Sequence, residues 1–182
     1  MGMRVTTIHR DAAKDFARQM LAMCPIARIA PVHLHASLIS MSFPLRSPRD
    51  TVGGIVLFGR ILDKIRLNAQ GKLPEGYHLG FIAGNRTFDD RLCRFLKVDF
   101  DALSARTLEG GSDEEILEWC FATSGRPDDE QIEVWNTFMM KRGWRDSGTP
   151  SLIRSREEAG LAERNDLVTF FDLMDVEEGR AP

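Results

Sequence analysis

Apolar residues recur along this chain at steps of three and four, and that spacing predicts helices. The longest stripe is Ile55, Phe58, Ile61, Leu62, Ile65 and Ala69, which predicts one helix over residues 48–71. Ser47 suits its cap, Pro48 its first position and Asp50 a capping-box-like place. Gly71 offers a left-handed exit and Pro74 prevents resumption. Gly53, Gly54 and Gly59 fall inside this span, where each costs about 1 kcal/mol relative to alanine. Close approach of another helix, or of a ligand, accounts for glycines there.

Further stripes follow. Leu92, Phe95 and Leu96 mark a helix between Asp89 and Val98, and Asp99 or Asp101 caps the next piece up to Gly110–Gly111. Ser112 with Glu115 makes a capping box for 113–123, with Ile116, Leu117, Trp119 and Cys120 inward. Asp128 with Gln131 caps 128–142, whose buried stripe is Ile132, Trp135, Phe138 and Met139. Residues 143–150 read as a linker. Ser155 with Glu158 then caps a final amphipathic segment ending near Met174, which Gly160 breaks in two, and residues after Val176 read as frayed. Only Tyr77, Leu79 and Phe81 alternate as a short extended piece would in this region.

The pattern therefore predicts an all-α fold, a compact bundle of five to seven helices with at most a short extended pair. Its parts are an N-terminal extension (1–44), a helical core (45–145) and a C-terminal linker with an amphipathic helix (146–182). The extension carries the stripe Ala13, Phe16, Ala17, Met20, Leu21 and Cys24, then an alternating run from Val32 to Leu38. It is either a docking helix or an over-extended start preceding Met41.

Composition narrows the function classes. A chain of 182 residues with 43% hydrophobic content can bury one ordinary core. No run of eighteen apolar residues exists, which argues against a membrane span, and no signal-peptide pattern opens the chain. Cys24, Cys93 and Cys120 are odd in number and widely spaced, which fits thiols in a reducing cytoplasm. Net charge is +3 over residues 1–40, +3 over 41–110 and −9 over 111–182, and the acidic third disfavours nucleic acid as a partner.

Candidate chemistry concentrates on the polar side of the 48–71 helix. Gly59, Asp63, Arg66 and Gln70 fall on one line, with Arg60 and Lys64 beside it. Asp63 and Arg66 are spaced as an i,i+3 ion pair, while Arg60, Lys64, Arg66 and Lys72 also gather four cations into a possible anion subsite. Tyr77 and His78 follow the helix exit, where His78 is placed for acid/base work. Trp119 and Trp135 serve as core anchors, or with Tyr77 as the walls of a ligand cleft. His33 and His35 form a lone HxH without a carboxylate or third ligand, so no metal or cofactor is expected. Leu167, Phe170 and Phe171 need a packing partner, either the core or a second copy of the chain.

Several of these residues together resemble a family of small bacterial proteins catalogued only as a domain of unknown function. They are Gly53–Gly54, Arg60 with Asp63–Lys64 and Arg66, the exit 71–74 with Tyr77, Asp89 with Phe95, the 113–119 helix, and Trp135 with Asn136. The resemblance spans about Leu45 to Trp144. It implies a compact, mainly helical domain in a bacterial cytoplasm, with no assigned activity. The expected function is a non-catalytic module that binds a small anionic metabolite or a protein partner. The alternative is an enzyme, or an accessory subunit of one, using Asp63, His78 or Tyr77 as acid/base groups.

Overall fold

The computed structural model describes residues 43–84 and 86–181, all within one unit, Met41–Pro182. The N-terminal stripe, the Val32–Leu38 run, Cys24, His9, His33 and His35 lie outside these residues. Among the described residues, seven helices and one two-stranded antiparallel sheet carry the fold, the helical bundle with a short extended pair that the spacing predicts.

The first correction falls on the 48–71 helix, because its first third is a hairpin. Strands β1 (Thr51–Val52) and β2 (Ile55–Val56) pair with Thr51 opposite Val56 and Val52 opposite Ile55. Gly53 and Gly54 make the turn, with φ of +55° and +80°. Two successive positive φ values exclude a helix and suit the tight hairpin whose twist matches its strands. β-branched Thr51, Val52, Ile55 and Val56 flank the glycine pair, as such a hairpin requires. Ile55 imitated a helical stripe because the hairpin and the helix bury their apolar residues in the same core.

Helix α1 (Phe58–Ala69) begins only after Leu57, which caps it in the left-handed region at φ +70° with no side-chain bond. Ser47, Pro48 and Asp50 consequently cap nothing there; Ser47 donates to Asp175 instead, at 2.8 Å. The predicted exit is present, with Gly71 at φ +65° and the Lys72 amide donating to the Leu67 carbonyl at 2.8 Å.

Local cap chemistry sets the next four helices. α2 (Phe88–Leu96) is capped by Thr87 and α3 (Phe100–Leu108) by Asp99. Full capping boxes open α4 (Asp113–Ser124) at Ser112 and α5 (Asp129–Met140) at Asp128. Helix α1 packs on α3 and the hairpin, α2 on α3 and α4, and α5 on β2. The core between them includes Phe58, Ile61, Leu62, Leu92, Leu103, Ile116 and Met139. Asn136 secures the hairpin edge to α5: its Oδ1 accepts from the Val56 amide at 3.1 Å, and its Nδ2 donates to the Gly54 carbonyl at 2.7 Å.

The C-terminal third departs from expectation in three ways. Helix α6 (Thr149–Glu158) starts inside the predicted linker, so Ser155 lies within it rather than capping a later segment. Helix α7 (Phe170–Glu177) follows a separate turn region and is capped by Thr169, which makes the expected break real. The tail beyond Val176 is held rather than frayed, since Glu178 is buried and Arg180 donates to it and to the Leu45 carbonyl. Leu167 and Phe171 have no exposed surface, and Phe170 is half-buried. The rest of the chain takes up Leu167 and Phe171, and Phe170 keeps the remaining exposed surface of this stripe.

Candidate functional site

Each charge on the polar side of α1 finds a partner distant in sequence. Arg46, in the strap before the hairpin, lays its guanidinium across α1 at Gly59. A Cβ at that glycine would meet Arg46 Nη1 at 2.6 Å, so the missing side chain makes room for the arginine and not for another helix. From there Arg46 donates to both oxygens of Asp63 at 2.8 and 2.7 Å, to the Gly59 carbonyl at 2.8 Å, and pairs with Asp113 at 2.6 Å. Arg66 takes the other Asp113 oxygen at 2.7 Å. The predicted Asp63–Arg66 pair is thus replaced by a chain of four charges. Hydrogen bonding to Asp63 raises the Arg46 pKa above its ordinary value. Burial alone would raise Asp113, but Arg66 and Arg46 outweigh it and hold its carboxyl down.

Arg60 is buried and bound to Glu178, whose side chain is wholly enclosed. Tyr77 donates to the same carboxylate at 2.6 Å, and Arg60 also donates to the Arg46 carbonyl at 2.6 Å. Burial would lower the Arg60 guanidinium and raise the Glu178 carboxyl; their mutual attraction reverses both, so Arg60 stays above and Glu178 below its ordinary value. Burial, with Glu178 beside it, pushes the Tyr77 phenol well above the usual range, which keeps it protonated and unavailable as a base. Lys64 donates to Asp89 at 2.6 Å, and the same Asp89 oxygen accepts from the Gly80 amide at 2.9 Å, pinning the loop after α1.

An open groove of about 1290 Å³ is bordered by the first half of α1 and by the loop that follows its exit. Four of the predicted site residues border it: Arg60 and Lys64 from α1, and Tyr77 and His78 from the loop. Five do not. Asp63 and Arg66 are taken up in the Arg46 network, Lys72 is exposed outside the groove, and Trp119 packs against the core. Trp135 stacks on Phe95 at 4.7 Å between ring centres and borders a different cavity, of about 910 Å³. Among the described residues, the two tryptophans and Tyr77 do not wall one cleft.

Sequence reasoning missed the opposite wall. It carries Arg86 and Arg91 at α2, Arg142 after α5, and Arg154 and Glu158 on α6, with Phe170, Met174 and Glu177 from α7. The only hint was the density of basic residues in the middle of the chain, which does not say where they converge. Burial, with Glu178 adjacent, raises the Glu177 carboxyl. Burial also pushes the thiols of Cys93 and Cys120 up to about 12, which leaves them protonated and unreactive. Among the described residues no three His, Cys, Asp or Glu side chains converge as a metal requires. No described helix is long and apolar enough to cross a membrane.

None of the curated proteins matches this chain. Residues 42–180 match the family described as Domain of unknown function (DUF5069), and the chain belongs to that family.

Proposed function

We propose that this domain is a non-catalytic helical module that holds a small anionic metabolite in the groove beside the first half of α1. The observation that carries this reading is the make-up of the groove. Arg60, Lys64, Arg86, Arg91, Arg142 and Arg154 face it against Glu75, Asp89, Glu158 and Glu177, over apolar surface from Leu57, Ile61 and Phe88. An apolar floor with a few converging charged groups is what a small-molecule site needs. Of the three acid/base candidates, Asp63 is bound to Arg46 and Tyr77 to Glu178, which leaves His78 alone and weakens the enzyme alternative. Free, buried Cys93 and Cys120 are in keeping with a cytoplasmic setting.

A thermal-shift screen of anionic metabolites against neutral isosteres, at matched ionic strength, tests this. A ligand at a hundred times its Kd adds about 2.7 kcal/mol and raises Tm by several degrees. If no anionic compound stabilises the protein beyond its neutral counterpart, the reading fails.

A further inference from the structure

We infer that Arg86, Arg91 and Arg142 form the charge-recognising end of the groove, and that the group they receive is a dianionic phosphate ester. This rests on the groove reading above. The three arginines come from separate places: Arg86 precedes the Thr87 cap, Arg91 lies on α2, and Arg142 follows α5. Tertiary folding brings them to one rim, where Arg86 and Arg91 border both the 1290 Å³ groove and the 910 Å³ cavity. The guanidiniums of Arg91 and Arg142 both lie over the Phe138 ring, 6.0 and 5.8 Å from its centre.

This cluster is not neutralised as the α1 charges are. The acidic neighbours on α2 are already engaged, Asp89 by Lys64 and Asp90 by Arg94. Arg142 pairs with Asp146 at 2.6 Å, and that carboxylate also accepts from the Gly143 and Gly148 amides. Arg86 and Arg91 have no ion-pair partner among the described residues. Burial, and then the charges of Arg142 and Arg86, hold the Arg91 guanidinium below its ordinary value. A bound anion would relieve that crowding.

Charge and shape select the anion. Three guanidiniums against Asp146 leave a local excess of two positive charges, which a phosphate monoester matches and a single carboxylate does not. Planar N–H forks suit phosphate oxygens. Arg142 is held by Asp146 and packs against Gly148, where a Cβ would come within 2.8 Å of its Cζ. The organic part of the ligand would extend over Phe88, Phe170 and Met174, which share the groove. A compact trio on an acidic chain does not form the long basic face that nucleic acid needs.

Titration with inorganic phosphate, compared with acetate at equal ionic strength, tests the assignment in the full chain. Phosphate is expected to bind the wild type more tightly than acetate. Arg91→Gln and the double variant Arg86→Gln/Arg91→Gln should weaken it by about ten-fold or more. Arg91→Lys should fall between, and Lys72→Gln, exposed outside the groove, should stay within about two-fold of wild type. Arg91→Lys keeps the charge and serves where the glutamine variants fail to fold. Equal binding of phosphate and acetate, or glutamine and lysine variants that bind like wild type, overturns the assignment. An anionic metabolite that stabilises the wild type yet ignores changes at Arg86 and Arg91 removes the trio and leaves the groove reading standing. Phosphate bound at the trio while no anionic metabolite stabilises the protein does the reverse.

Discussion

Two arginine-rich regions of this domain use the same side chains to opposite ends. On α1 and the strap beside it, Arg46, Arg60 and Arg66 are matched by Asp63, Glu178 and Asp113. At the groove rim, Arg142 alone has a close carboxylate, Asp146, and Arg86 and Arg91 have none among the described residues. The difference is in what surrounds the charge. Arg60, being buried, must be paired because desolvation is expensive, whereas the exposed Arg86 can wait in water for a ligand. The first region therefore holds the fold together, and the second remains open to a partner.

The comparison is broken most directly at Glu178. Glu178→Ala leaves Arg60 buried without its counter-charge and takes an acceptor from Tyr77 and Arg180. The expected loss is about 3–5 kcal/mol in urea unfolding, because the stranded charge cannot reach water. The same group contributes a pH signature. Its carboxyl is held below the ordinary value in the folded state, so its stabilisation is present above the unfolded glutamate value. That stabilisation is lost as pH falls through the lower folded value. Asp113 and Asp146 titrate over the same acid range, so the readout is the difference between wild type and Glu178→Gln, whose acid slope should be shallower. Equal slopes would show that Glu178 is not held by Arg60 in solution.

Asp63→Asn should act in the same direction with a smaller effect, about 1–3 kcal/mol. It removes one charge facing Arg46, whose side chain is about a third exposed (34%) and retains Asp113. A loss as large as that of Glu178→Ala would mean the strap and α1 form one ionic unit. Arg91→Gln should change stability least, by about 0.5 kcal/mol or less in phosphate-free buffer, because no pair is broken and like-charge crowding is eased. A large destabilisation there would place the groove trio with the structural charges and erase the contrast.

The caps and stripes that were legible in the sequence were local. Ser112 with Glu115 and Asp128 with Gln131 identify their helices because both partners of each box lie three residues apart. Gly71 marks the α1 exit for the same reason. The hairpin was misread although its signal was present, because Gly53–Gly54 between β-branched residues competes with a helical stripe that continues through Ile55 and Phe58. Of the site, Arg60, Lys64, Tyr77 and His78 could be grouped since they sit on one helix and its exit. Arg86, Arg91 and Arg142 could not, because nothing in their spacing indicates that α2 and the end of α5 share a rim.

Taken alone, the amino-acid order determined how many helices form, where most of them start, and that the interior is apolar, since those outcomes depend on contacts within a few residues. The ion-pair assignments were decided by tertiary structure. Arg60 meets Glu178 across 118 positions and Arg49 meets Asp175 across 126, and any of the chain's many carboxylates would have satisfied the same charge rule. Packing selects among them because a buried arginine pairs only with the carboxylate that the fold delivers within hydrogen-bond reach, and the same selection leaves Arg86 and Arg91 without one among the described residues.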